Sequence, residues 1–486
     1  MGETSVAYRD LREFVNKLEA AGQLRRITAE VDPYLEIAEI SDRVVKSGGP
    51  ALLFENVRGY AVPVLTNTFG SMERMLLALE RNSLDELGEE VVSLIQPGEM
   101  PSGLWDKLRA LPKLARLASC LPRSVRGGPC QEVVERERPS LDGLPILTTW
   151  PGDAGPFVTL PLVFTRNPET GQRNVGMYRM QVYDSRTLGL HWHVHHDGAA
   201  NFRKARAGGG RMPVAVAVGA DPATVFAATL PLPPDVDEML AAGLIRQEAV
   251  DMTRCVTCDL EVPANAEIVL EGWVDPEETR TEGPFGDHNG YYSPPDEYPV
   301  FHLECVTRRK KPVYMATVVG RPPMEDAFLG KAIERLFLPL VRLFLPEVVD
   351  INMPAEGVVH NLVLVSIRKE YPGQARKVMY GLWGMPQMAL AKTIVVVDED
   401  VDVQNLSETA WRVLGNIDAR RDLVVVDGPV DALDHAAGLP HFGAKLGVDA
   451  TRKTPGEGYT RSWPETVAMS RAVMELVDRK WPTYGI

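Results

Sequence analysis

Short strand-like runs separated by turn-forming residues fill the middle of the chain, and they limit the fold more than any other feature. From about residue 130 to 320 the runs are QEVVERE, VTLPLVFTR, VGMYRMQVY, LGLHWHVH, PVAVAVG, AEIVLEGWV, FHLECVTR and PVYMATVVG. NPETGQRN (167–174) and DSRT (184–187) supply turns between them. So many short strands in succession predict a barrel or a sandwich. The flanks read differently. Leu11, Phe14, Val15 and Leu18 recur at helical spacing, Leu35 to Val45 predicts a second short helix, and GGPALLFENV (48–57) and VPVLTNTF (62–69) predict strands. A Leu-rich helical pattern follows from about 72 to 120.

Beyond the β region, Asp326 is placed to cap a helix through Phe328, Ile333, Leu336, Phe337 and Leu340, with Pro339 bending it. VVDINMP, NLVLVSI, TIVVVDED and DLVVVDG then alternate with helical stretches at about 372–391 and 406–415, which predicts a parallel sheet covered on both faces. A chain of 486 residues exceeds one core. The expected divisions are 1–120, an α/β segment; 121–322, the β region, a barrel or a sandwich; 323–346, a connecting helix; and 347–486, a second α/β unit.

Composition excludes several function classes. A formal charge of −14 argues against a nucleic-acid surface, which needs a basic stripe to displace counterions from phosphates. The basic patches at 107–126 and 308–311 read as solvated turns and faces. Five cysteines form no disulfide framework and fit a reducing, cytoplasmic setting. Cys255-Val-Thr-Cys258 has a metal-ligand spacing, but no second pair follows it, so it reads as two small buried side chains. The start MGETSVAYRDLREF shows no signal peptide, and the most apolar run, Leu336 to Leu345, is too short to span a bilayer.

Two stretches can carry chemistry. LHWHVHHDG (190–198) holds four of the nine histidines; on a strand, His191, His193 and His195 share one face and could hold zinc. A zinc hydrolase is therefore one reading, although no HExxH accompanies them. GxSxG, GxxxxGK[ST] and GxGxxG are also absent, against serine hydrolase, kinase and nicotinamide chemistry. In TEGPFGDHNGYYSPPDEYP (281–299), Glu282 and Asp287 flank a stiff Gly-Pro-Phe-Gly turn that could hold two carboxylates of split pKa. The alternative is a plain loop, with Asp287 capping Asn289 and Glu282 in solvent.

RNVGMYRMQVYD (173–184), HWHVHHDG, DPATVFAATLPLPPDVDEMLAAGLI (221–245), LEVPANAEIVLEGWVDPEETRTEGPFGDHNGYY (260–292), VVGRPPMED (318–326) and LGVDATRKTPGEGYTR (446–461) together resemble the UbiD family of prenylated-flavin decarboxylases. DLREFVNKLEAAGQLRRI and GGPALLFENVRGY extend the resemblance to the start of the chain.

The resemblance implies a multidomain α+β and α/β fold: a central split β-barrel holding prenylated FMN, an N-terminal α/β segment, a linker helix and a C-terminal α/β oligomerisation domain. It implies a manganese or magnesium ion held by Asn174, His191 and Glu238, with potassium nearby; His193 is the alternative histidine. Asn and Glu are hard oxygen donors suited to such ions. Met177, Tyr178, Arg179, His191, Trp192, His193, His196 and Asp197 are expected around the cofactor, and Lys392 at its phosphate. Arg179, Glu282 and Asp287 correspond to the family's catalytic trio, Asp287 being the proton donor. A donor must hold its proton, so Asp287 is expected to be buried, with a raised pKa. The implied substrate is an aromatic carboxylic acid, a hydroxylated naphthoate or benzoate of quinone synthesis, with the menaquinone type first. His193 and His196 stand where that type has Gln and Lys. A flavin prenyltransferase would supply the cofactor, and a cytoplasmic homo-oligomer, dimer or hexamer, is expected. A flavin-storing protein without activity is the third reading.

Overall fold

The computed structural model describes residues 7–95, 115–192, 197–233 and 236–485. The chain opens on the helix Leu11–Ala20, whose first turn is capped by the Asp10 carboxylate accepting from the Glu13 N–H at 3.0 Å. Its apolar stripe, Leu11, Phe14, Val15 and Leu18, is buried, as is that of the helix Glu36–Lys46. Both flank a four-stranded sheet of Leu24–Ile27, Ala51–Phe54, Val64–Thr66 and Tyr314–Met315. The last strand corrects the expectation for PVYMATVVG. Instead of closing the barrel it returns to pair in parallel with Val64 and Leu65. One continuous core, from Tyr8 to Leu336, accordingly joins the N-terminal segment to the β region.

The β region is a nine-stranded sheet. Along its path lie Phe157–Val158, Met180–Val182, Thr187–Leu190, Asp296–Arg308, Ile268–Glu282, Met212–Val218, Leu162–Arg166 and Arg173–Met177, with Val133–Glu135 added to Asp296–Arg308. Arg173–Met177 forms one edge, while Met180–Val182 lies next to the other. The two strands follow each other in sequence, and three residues span at most about 11 Å, so the sheet must curl until its ends nearly meet. Tyr178 and Arg179 bridge that gap. VGMYRMQVY is thus two strands on opposite sides of a split, where periodicity alone predicts one.

LGLHWHVH is also shorter than expected. The strand ends at Leu190, His191 and Trp192 follow in irregular backbone, and a helix runs over Asp197–Gly208. The shared strand face proposed for His191, His193 and His195 therefore does not extend to His191; residues 193–196 lie outside the described residues.

The connecting helix is Glu325–Phe344 and contains Pro339. Its N-cap is Met324, not Asp326, which sits one position into the first turn with its carboxyl buried and pushed up to about 6 by that burial. The C-terminal sheet is ordered Val348–Asn352, Leu362–Ile367, Thr393–Asp398, Phe442–Asp449, Leu423–Pro429. Only its three central strands are parallel; both edges pair antiparallel, a correction to the fully parallel sheet expected. The edge strand Leu423–Pro429 alternates between more and less exposed residues, where Leu362–Ile367 and Thr393–Asp398 are almost continuously buried.

Candidate active site

Arg179 stands in the split between the two ends of the curled sheet and binds two carboxylates. Its Nε and Nη2 donate to the two oxygens of Glu282 at 2.9 and 3.2 Å, and its Nη1 donates to Asp287. Nη2 also donates to the Ser293 hydroxyl at 3.0 Å, and the guanidinium lies 4.5 Å from the centre of the Phe285 ring. Glu282 ends the long strand Ile268–Glu282 and is completely buried, which overturns the reading that points it to solvent. Gly189 permits this approach, since a Cβ there would lie 2.4 Å from the Tyr183 hydroxyl and 3.3 Å from Glu282.

Asp287 follows in the turn, braced by the hairpin of Phe285–Gly286 with Tyr292–Ser293. Three groups fix this turn: Gln181 accepts from the Gly283 N–H at 2.7 Å, Asp153 accepts from the Gly286 N–H at 2.7 Å, and Asn289 donates to the Leu433 carbonyl at 2.9 Å. The last bond ties the loop to the C-terminal unit, where the Tyr291 and His435 rings also meet at 4.2 Å.

Asp287 is buried, as expected, but its pKa moves the other way. Burial raises it, yet the hydrogen bond from His288 and the charges of Arg179 and His288 outweigh burial and hold it ionised, below the usual carboxylate range. Burial acts on His288 in the opposite direction to Asp287, Asp326 and Asp431, and the acids prevail, pushing it up to about 9. Glu282 is likewise lowered: burial raises it, while the bond from His191 and the charge of Arg179 prevail.

Asn174 and Glu238 form a second polar pair. Arg173 and Asn174 lie on the edge strand, and Asp237 and Glu238 open the helix Glu238–Arg246. Arg173 pairs with Asp237 at 3.2 Å, while the buried Glu238 accepts from Asn174 Nδ2 at 3.2 Å and from the Val175 N–H at 2.9 Å. His191 Nδ1 lies 3.0 Å from Glu282, and its backbone N–H donates to the Arg179 carbonyl at 3.2 Å. His191 thereby links the crossing segment at Arg179 to Glu282. Burial and the charge of Arg179 lower its pKa, so the ring is neutral near pH 7.

Tyr178 and Trp192 pack edge to face at 6.4 Å, with Met177 half-buried beside them. The Trp192 indole N–H is buried without an acceptor among the described residues. Lys392 lies on the C-terminal unit, where its Nζ meets Asp434 at 2.7 Å. Asp434 belongs to the same loop as Leu433 and His435, which meet Asn289 and Tyr291. His193 and His196 lie outside the described residues, as does the side chain of Asp197.

Gln181, Asp153, Ser293 and His288 also hold the site, although they were not among the residues expected there. Only His288 carried a signal, its place directly after Asp287.

The comparisons agree over the whole length. Residues 123–322 match the 3-octaprenyl-4-hydroxybenzoate carboxy-lyase Rift-related domain, 327–450 its C-terminal domain and 15–91 its N-terminal domain. An uncharacterized protein of Archaeoglobus fulgidus is 52% identical over 478 residues, 98% of each chain. The UbiD-class enzyme HmfF from Pelotomaculum thermopropionicum, in complex with FMN, is 31% identical over 96% of this chain and 99% of its own, with a TM-score of 0.80. An evolved dimeric form of HmfF, in complex with prFMN, gives 30%, 94%, 97% and 0.77. The vanillic acid decarboxylase of Sedimentibacter hydroxybenzoicus in its closed form is 27% identical over 99% of this chain and all of its own, with a TM-score of 0.86. No described helix is long and apolar enough to cross a membrane. With three consecutive domains matched and a buried Arg–Glu–Asp constellation at the split of the central sheet, the chain belongs to the UbiD family of carboxy-lyases.

Proposed function

We propose that the protein catalyses the reversible, non-oxidative decarboxylation of an aromatic carboxylic acid with prenylated FMN. The buried network of Arg179 with Glu282 and Asp287 carries this reading. The bound prenylated flavin supplies an electron sink that no ordinary side chain offers to an aryl carbanion.

The residues fit such a cofactor. Among the described residues the buried Trp192 indole N–H has no acceptor, which leaves it free to donate to such a group. Asn174 and Glu238 offer hard oxygens that suit manganese or magnesium, with His191 as third ligand and potassium nearby. Lys392 would serve the phosphate. Met177, Tyr178, His193, His196 and Asp197 complete the proposed surroundings.

Arg179 has one Nη1 hydrogen beyond those given to Glu282, Asp287 and Ser293. A substrate carboxylate taking that edge competes with Asp287 for it and withdraws a cation that holds Asp287 ionised. Burial then favours the protonated acid, and His288 is placed to deliver the proton. After CO2 leaves, Asp287 returns this proton to the vacated ring carbon. Glu282 keeps Arg179 and His191 in place throughout.

The proposed substrate is a hydroxylated naphthoate or benzoate of quinone synthesis, dihydroxynaphthoate first. A polyprenyl-hydroxybenzoate or another aryl acid is the alternative within the same chemistry. The relation to a vanillic acid decarboxylase supports a hydroxylated ring. Protein co-expressed with a flavin prenyltransferase should be incubated with a panel of aromatic acids in deuterated water. Deuterium at the carbon that lost CO2 supports the reading; flavin-loaded protein that releases no CO2 from any acid, or turnover without flavin, overturns it.

A further inference from the structure

Cys255, Cys258 and Glu271 form a cluster that the decarboxylation site does not use. The strands Asp251–Arg254 and Glu261–Pro263 pair as a hairpin, and its turn carries Cys255-Val-Thr-Cys258. Glu271 approaches from a different sheet, on the barrel strand Ile268–Glu282, and is completely buried. Its carboxylate accepts from the N–H groups of Val256 at 3.0 Å and Thr257 at 2.7 Å, and from the Thr257 hydroxyl at 2.7 Å. All three are neutral donors; among the described residues no Lys, Arg or His forms an ion pair with it. A buried carboxylate of that kind sits unusually beside two thiols.

In sequence the CxxC lacks further ligands. The fold supplies one: the two sulfurs and a Glu271 oxygen all lie within 4.8 Å of one another. Tetrahedral zinc, with bonds of about 2.3 Å to sulfur and 2.1 Å to oxygen, needs ligand atoms roughly 3.5 Å apart, so small side-chain rotations suffice. Cys258 is half-exposed, leaving an approach for water as fourth ligand. Sulfur ligands select zinc-like ions over manganese or magnesium.

We propose that Cys255, Cys258 and Glu271 bind one soft divalent cation of the zinc type, which staples the hairpin turn to the barrel strand that ends in Glu282. Binding converts both thiols to thiolates and releases their protons to solvent.

The test is titration of the full, reduced chain with cadmium, followed by its thiolate-to-metal charge-transfer band, and competition with zinc. One equivalent is expected, its affinity falling at least tenfold in Cys258→Ser and staying unchanged in Cys120→Ser. Zinc should raise the Tm of the parent and not of Cys258→Ser. No band in reduced protein, or an unaltered band in Cys258→Ser, overturns the proposal. If that variant does not fold, alkylation of the parent decides: zinc protection confined to Cys255 and Cys258 supports the site, and uniform labelling overturns it. The readout rests on sulfur ligation and is independent of the Asn174–Glu238 pair and of decarboxylation.

Discussion

His288 donates twice to Asp287 Oδ1, through its backbone N–H at 2.8 Å and its ring Nδ1 at 3.0 Å. Asp287 is held below its ordinary pKa, so its contribution to stability is present above about pH 3.9 and is lost as pH falls. His288 is pushed up from 6.5 to about 9, so its contribution is complete below 6.5 and is lost as pH rises toward 9. The pair should therefore stabilise most between about pH 4 and 6.5. Urea midpoints measured from pH 6.5 to 9 should fall by the equivalent of about 1–2 kcal/mol in the parent and much less in His288→Asn. Equal slopes would remove His288 from this role.

Removing Arg179 leaves two buried carboxylates facing each other. Arg179→Ala should cost about 3–5 kcal/mol of stability, whereas Glu282→Gln, which keeps the shape, should cost less. Both should lower kcat by about 10²-fold or more. Denaturant melts and CO2-release assays on the same preparations separate the two effects.

Gly189 has no room for a methyl group between Tyr183 and Glu282. Gly189→Ala should destabilise by about 1–3 kcal/mol and displace Glu282 from Arg179. Gly189→Ala combined with Tyr183→Phe, which deletes the nearer atom, should recover part of the loss. Thermal melts of both variants check the order.

Glu238→Ala removes the charged member of the proposed oxygen-donor pair. Manganese bound after dialysis, measured by paramagnetic resonance or metal analysis, should drop at least tenfold, and flavin retention should fall with it. The absorbance spectrum of the purified variant reports the second effect.

The sequence showed the layers more clearly than the joints between them. The Leu11–Leu18 stripe and the apolar runs after residue 347 were visible because periodicity is local. The split at Tyr178–Arg179 was not, because a strand and a chain crossing between two strands share the same alternation of side chains. Glu282 and Asp287 stood out by their stiff turn, and the resemblance supplied their partner Arg179. The direction of the Asp287 pKa was illegible: it depends on His288 turning its ring back toward the acid, which residue order does not encode. Asp153 and Gln181 act through single hydrogen bonds to loop N–H groups and leave no pattern at all. Cys255 and Cys258 showed a motif, but their neighbour Glu271 lies on a strand of another sheet.

The curled sheet also sets when the site can come into being. Arg179 meets Glu282 across 103 residues and Asp287 across 108, and Asn174 meets Glu238 across 64. Such contacts of high sequence separation bear a large loop-closure entropy and form late in folding. Helical signal should therefore return early in refolding, while flavin capture and CO2 release wait for the slowest phase, when the two edges of the sheet come together around Arg179. An unfinished chain would have its helices and strands but no decarboxylase, which makes turnover a sensitive clock for the last step of assembly.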